Sequence, residues 1–200
     1  MKRIVCTAFA LWMGMGLTLP AAEKVAPTRQ EISVTVDPSK SKVQFTLGAT
    51  LHTVHGTFRV KGGTVRLDAA SGKAGGQVVV DVKSGDTGVA ARDRQMHNEV
   101  LESERFPQAV FLPDRVSGLA SWEGEHQVMV HGVLRIHGRD HEVSFPATVK
   151  AQDGQVTATA TLVVPYVDWG MKDPSSFVLR VSNKVDVELT FVGTFSAKRP

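Results

Sequence analysis

The chain has 200 residues, with 23 Lys and Arg against 20 Asp and Glu, 42% hydrophobic residues and a single cysteine. No run of five or more basic residues interrupts it, so charge makes no case for nucleic acid or anionic lipid as a partner. The length suits one domain with a substantial core.

Met1 to Ala22 has the layout of a secretory signal peptide: basic Lys2 and Arg3, an apolar run from Ile4 to Leu19, then small Ala21 and Ala22 where a signal peptidase could cut. The rival is a retained anchor, but the run falls short of the roughly 20 residues of a spanning helix and contains Gly14 and Gly16. Cleavage would leave 21 basic against 20 acidic residues, close to neutrality. Cys6 lies too early to be the lipid-modified cysteine of a lipoprotein and would leave with this segment. A periplasmic or secreted domain without disulfides then depends on its core alone. The expected organisation is a signal peptide over 1–22, a flexible leader over 23–30 and one barrel domain over 31–197.

Along the mature chain, strand-like segments run over Ile32–Val36, Lys42–Leu47, Gly56–Val60, Thr64–Leu67 and Gln77–Val82, separated by Asp37-Pro38-Ser39, Gly62-Gly63 and Ser71 to Gly76. Ala90 to Glu104 breaks the rhythm. It lacks Gly and Pro, and Met96, Val100 and Leu101 make a narrow apolar stripe before Phe106-Pro107. This predicts one helix, started with help from Asp86 or Thr87, that acts as a lid or plug on the sheet. Strands resume over Ala109–Leu112, Val128–Ile136, Glu142–Val149, Val156–Val164, Phe177–Val181 and Val185–Phe195, with turns at Gly138-Arg139-Asp140 and Gln152-Asp153-Gly154.

From Phe177 to Phe195 the odd positions are almost all apolar and the even ones mostly polar, the period-two signature of strands with one greasy face. With a single helix to cover such faces, the strands must hide them among themselves, as a barrel or a sandwich. Continuous hairpins favour the barrel, and Gly132, Ala158 and Ala160 on inward parity would leave room inside. The expected fold is all-β, an antiparallel eight-stranded barrel with one short helix, about wide enough to hold one small ligand.

Several spaced motifs carry a resemblance. Asp37-Pro38-Ser39-Lys40-Ser41-Lys42-Val43-Gln44-Phe45, Gly56-Thr57-Phe58, Ser84-Gly85-Asp86-Thr87-Gly88 with Arg92-Asp93, Phe106-Pro107, and His131 to Gly138 occur in the order of the YceI-like family of bacterial periplasmic proteins, which the chain resembles from Ile32 to Phe195. The resemblance implies an extended lipocalin-like barrel with a long apolar tunnel for a polyisoprenoid or similar chain. Gln95-Met96 in place of the usual His-Leu, a slightly shorter stretch up to Pro107, and Pro165 to Met171 before the final strands suggest a divergent branch with its own barrel mouth.

An isoprene chain gains roughly 25 cal/mol per Å² of apolar surface hidden, so its partner is a tunnel of Val, Leu and Phe. The expected lining is Val43 and Phe45, then Phe58 and Val80, Phe111, Val130 and Leu134, followed by Phe145, Leu162, Phe177 and Leu179, and finally Val187 and Leu189. For each of these alone, plain core packing is the competing explanation. Arg92 is the expected head-group contact. The competing view has Arg92 and Asp93, adjacent on a helix and so pointing apart, each anchoring the helix to loops. Tyr166, Trp169 and Met171 are expected to form either a rim at the barrel mouth or an aromatic seal.

Seven histidines lack metal-site spacing; His137 and His141 are the one pair a turn would bring together, and no physiological metal is expected. No nucleophile elbow, P-loop or dinucleotide motif is present, so neither catalysis nor a cofactor is expected beyond a bound polyisoprenoid. The expected partner is an isoprenoid lipid or quinone. No nucleic acid is expected, the mature chain is not expected to be integral to a membrane, and a homodimer is left open. The function implied is periplasmic binding of a polyisoprenoid chain such as an isoprenoid quinone or polyprenol. The alternative is an envelope-stress structural or interaction protein with a filled barrel.

Overall fold

The structure, a computed structural model, describes residues 31–50, 52–119, 121–177 and 180–198. The expected signal peptide and leader therefore lie outside the described residues, as does Leu179. Among the described residues no helix is long and apolar enough to cross a membrane.

Nine strands form one antiparallel sheet: β1 (Glu31–Val36), β2 (Lys42–Gly48), β3 (Thr53–Asp68), β4 (Ala74–Asp86), β5 (Gln108–Ser117), β6 (Gly124–Ile136), β7 (Arg139–Gln152), β8 (Gln155–Val164) and β9 (Val185–Lys198). They occupy eight positions around a closed barrel. Strands β1 and β2 share one position end to end, because both pair with β3 on one side and β9 on the other. The break between them is the Asp37-Pro38-Ser39 turn, where Asp37 Oδ1 accepts from the Ser39 hydroxyl at 2.6 Å and from the Ser39 amide at 2.9 Å. Those hydrogen bonds hold the Asp37 carboxyl below the usual carboxylate range. Closure leaves no free edge to recruit another chain.

Two expectations about element boundaries need correction. Gly62-Gly63, read as a turn, sits inside the single long β3 at a bulge against β4. Positive φ angles of 117° and 156° at these glycines absorb the extra residue without breaking the strand. The segment 177–181, read as a strand, has its described residues, Phe177, Arg180 and Val181, in no strand, with only an isolated bridge from Val181 to Ala49. Its alternation continues that of β9, but Asn183 and Lys184 interrupt the pairing.

The helix is shorter than expected. Helix α1 (Ala90–Gln95) runs on as a π-helical turn over Met96–Val100, and the chain leaves helical form after Leu101. The strand-to-helix approach depends on Gly85, where a Cβ would come within 2.7 Å of Phe58 and 2.8 Å of Met96. His97 locks the pair together: its Nε2–H donates to the Gly85 carbonyl at 2.9 Å, which leaves Nδ1 to accept from the buried Ser103 hydroxyl at 2.9 Å.

The helical segment and the loop over 165–184 close one end of the barrel. The other end carries the tight turns of β3–β4, β5–β6 and β7–β8 and is packed: Ile32 is 0% and Ala151 1% exposed there, with Leu67 and Val156 also buried. The helix end is therefore a cap built from separate parts, and the opposite end is a floor.

Candidate functional site

Period-two alternation puts one apolar residue in every two on the inner wall, and between floor and cap these side chains do not meet. They enclose a cavity of about 440 Å³, within the roughly 300–1,000 Å³ of small-molecule sites. On β8 the lining runs from Val156 to Val164, about 26 Å along the strand or about 20 Å along a tilted barrel axis. The hollow explains why Phe58, Val80, Phe111, Leu162, Val187 and Leu189 point inward yet stay partly accessible.

Most of the sequence-predicted lining is brought together on this wall. Val43, Phe45, Phe58, Val80, Phe111, Val130, Leu134, Phe145, Leu162, Val187 and Leu189 all face the cavity. Phe45 and Phe58 pack at 5.3 Å between ring centroids, and Phe111 and Phe145 at 5.5 Å. Phe177 is a correction: it projects from the 165–184 loop with 99% of its surface exposed and touches no part of the cavity. Ala158 and Ala160 line the hollow as expected, but Gly132 does not, because Phe111 and the β5 backbone occupy the space its missing Cβ leaves.

Apart from the Trp122 indole near the floor, polar character gathers at the helix end, where His52, Thr87, Arg92 and Gln95 join the lining. Among the described residues Arg92 is the one Lys, Arg, Asp or Glu in the lining. Its Nε donates to Thr87 Oγ1 at 2.8 Å and its Nη2 to the Thr87 carbonyl at 2.9 Å. Asp93 Oδ1 accepts from the Thr87 amide at 2.9 Å and from the same hydroxyl. Both residues therefore anchor the helix to the preceding loop, as the competing view has it, but they do so at one residue, Thr87, rather than apart, because that loop folds back over the first turn of α1. Among the described residues no carboxylate ion-pairs with Arg92, and its guanidinium makes no hydrogen bond beyond the two to Thr87.

The cap is apolar. Tyr166 and Met171 are buried with Val164, against Val100, Leu101 and Ile136, and both line the cavity. The Tyr166 hydroxyl donates to the Ser182 carbonyl at 2.8 Å, and burial pushes its phenol up to about 12. Lys172 ties this loop to the π-helical turn through Glu99 at 2.6 Å. Trp169 packs against the buried cluster of Val164, Tyr166 and Met171 but does not line the cavity, and it stacks on His141 with ring centroids 4.0 Å apart. Burial, aided by Arg139, holds the His141 imidazole below its usual pKa.

His137 and His141 do not converge either. His137 faces Glu102 at 3.2 Å while His141 lies under Trp169. Among the described residues no group of three His, Cys, Asp or Glu is placed to hold a metal ion.

Sequence reasoning missed Trp122. It lines the cavity near the floor, edge-on to Phe195 at 5.1 Å, and its buried indole N–H has no hydrogen-bond partner among the described residues. It sits in the β5–β6 loop, where strand periodicity gives no signal. Thr87 and Gln95 were missed as lining for the same reason.

Comparison with known proteins places this geometry. Burkholderia cenocepacia BcnA is 24% identical, covering 80% of this chain and 99% of its own, with a TM-score of 0.65. A polyisoprenoid binding domain from Saccharophagus degradans, implicated in plant cell wall breakdown, is 18% identical over 84% of this chain and 98% of its own, with a TM-score of 0.62. A mutant of the Campylobacter jejuni YCEI protein is 13% identical over 76% and 88%, with a TM-score of 0.57. Likeness at these identities shows the barrel fold. Comparison with curated proteins gives no match. The family model described as the YceI-like domain matches residues 34–193, from within β1 to within β9, and the chain belongs to that family.

Proposed function

We propose that this protein binds a lipid with one long apolar chain, of the polyisoprenoid class, with the chain along the barrel axis and the head group at the helix end. The observation that carries the reading is the hollow itself: about 440 Å³ is space for roughly fifteen waters, in a wall whose hydrogen-bonding groups lie almost entirely at one end. Water gains little in such a space, whereas each Å² of chain hidden there contributes roughly 25 cal/mol. Likeness to a domain described as polyisoprenoid binding supports that chain class.

Arg92 supplies the head-group contact in this reading. Thr87 fixes its guanidinium and leaves donors for a quinone carbonyl, a hydroxyl or a diphosphate. The layout of residues 1–22 supports action in the periplasm. The size of the hollow is the reason to prefer a carrier over an envelope protein with a solid barrel.

The test is organic extraction of protein purified from its native envelope, followed by mass spectrometry. A stoichiometric prenyl lipid is the expected result. Repeatedly empty extracts from folded protein would overturn the carrier, and a hydrolase activity lost on changing one Ser or His would replace binding with catalysis.

A further inference from the structure

Among the described residues four large hydrophobic side chains are strongly exposed: Val89, Met129, Val163 and Phe177. Three of them belong to one end of the barrel. Val89 directly precedes α1, Val163 is the penultimate residue of β8, and Phe177 lies in the loop over 165–184. At the floor, the turn residues Ala69 to Lys73 and Gln152 to Gln155 are small or polar, and Leu119 and Trp122 of the β5–β6 loop are half-buried and line the cavity. The apolar exposure is therefore polarised, and it marks the capped end rather than the packed one.

The loop that presents Phe177 is also the loop that closes the cavity. Tyr166, Met171, Pro174 and Val181 line the hollow from it, while Phe177 between them turns fully outward at 99% exposure. A Phe held bare on an otherwise ordinary surface is unfavourable in water and favourable at the boundary between lipid head groups and acyl chains. Its neighbours suit that boundary, since Lys172, Arg180 and Lys184 outnumber Asp168 and Asp173 in the same loop, although Lys172 is paired with Glu99. An apolar chain of the class the cavity accommodates has almost no free concentration in water, so it must be collected from, and released to, a bilayer.

We infer that the capped end of the barrel is a membrane-docking surface, with Phe177 as the inserted side chain, Val89 and Val163 as further exposed apolar side chains at the same end, and a phospholipid bilayer as the partner. The inference rests on the lipid-carrier reading for its purpose. Docking can nevertheless be measured apart from ligand binding.

The experiment is cosedimentation of the full mature chain with ligand-free vesicles of phosphatidylethanolamine and phosphatidylglycerol. Alongside it, ubiquinone-10 binding is measured in detergent by quenching of tryptophan fluorescence. The wild type is expected to pellet with vesicles. F177D should lower the partition coefficient about tenfold or more, the worth of one inserted Phe. V89D should lower it less, and M129D, on the outer wall away from the cap, should leave it unchanged. Detergent-phase binding of ubiquinone-10 should be the same in F177D as in the wild type. A wild type that does not pellet, or an F177D variant that pellets equally well, overturns docking whatever the cavity holds. Pelleting that depends on Phe177 in a protein that binds no ubiquinone-10 and yields empty extracts supports docking and removes the carrier reading instead.

Discussion

Ala160 gives a test in which the hollow decides the sign of the effect. Its methyl group faces the cavity from β8, opposite Ala147 of β7 and Leu189 of β9 in register. Ala160→Leu adds three carbons. In a filled core they would be forced against neighbours at a cost of about 1–3 kcal/mol. In an empty apolar space they bury surface worth about 0.8 kcal/mol each, about 2.4 kcal/mol of added stability. Void costs of about 24 cal/mol per Å³ would make an empty cavity of 440 Å³ cost about 10 kcal/mol, as much as a whole domain's net stability. The ligand-free barrel therefore has much to gain from any atom placed there. At about 2–4 °C per kcal/mol for a domain of this size, delipidated Ala160→Leu should melt roughly 5–10 °C above the wild type. The readout is scanning calorimetry with and without ubiquinone-10, and the stabilisation produced by ligand should shrink in the variant because leucine occupies part of its space. A delipidated variant that melts below the wild type would mean the interior is already full, and the volume argument fails.

Leu189→Arg places a lone charge against Val43 and Ala160 in the middle of the wall; it should abolish ubiquinone-10 uptake while far-ultraviolet circular dichroism keeps its β signature, and a folded variant that still binds would place Leu189 outside the ligand path. Arg92→Leu removes charged hydrogen bonds worth about 1.5–3 kcal/mol, so affinity for a polyprenyl diphosphate should fall about tenfold or more while squalene, which has no head group, binds as before. Equal losses for both ligands would assign Arg92 to holding the cap. His131, on the outer face of β6, hydrogen-bonds Asp114 at 2.7 Å, which raises its pKa above 6.5 with help from Glu142. Because the folded pKa is the higher one, this pair's contribution to stability is fully present below about pH 6.5 and is lost as pH rises through the raised value. The His131 ring should titrate above 6.5 by NMR and move back toward it in Asp114→Asn; an unmoved midpoint would assign the shift to another source.

Alternation along β2, β3 and β6 to β9 determined which side chains point inward, because side-chain parity is a local property of an extended backbone that survives any arrangement of strands. That is why Val43, Phe58, Leu162 and Leu189 were legible as wall residues, and why the apolar stripe of Met96, Val100 and Leu101 was legible as a plug. Parity says nothing about what lies opposite. Whether an inward side chain meets another or faces empty space depends on how many strands close the ring and how they are staggered, and only the tertiary structure decided that β1 and β2 share one position and that a hollow remains. The loops were decided there too. Phe177 carried the alternation of β9 but lies before that strand begins, where no neighbouring strand fixes its parity, and Trp169 had no periodicity to aim it, so one turned out to solvent and the other stacked on His141; Arg92 and Asp93 became one device only because Thr87, brought back by the preceding turn, touches both. Local geometry sets direction, and long-range closure sets volume and company.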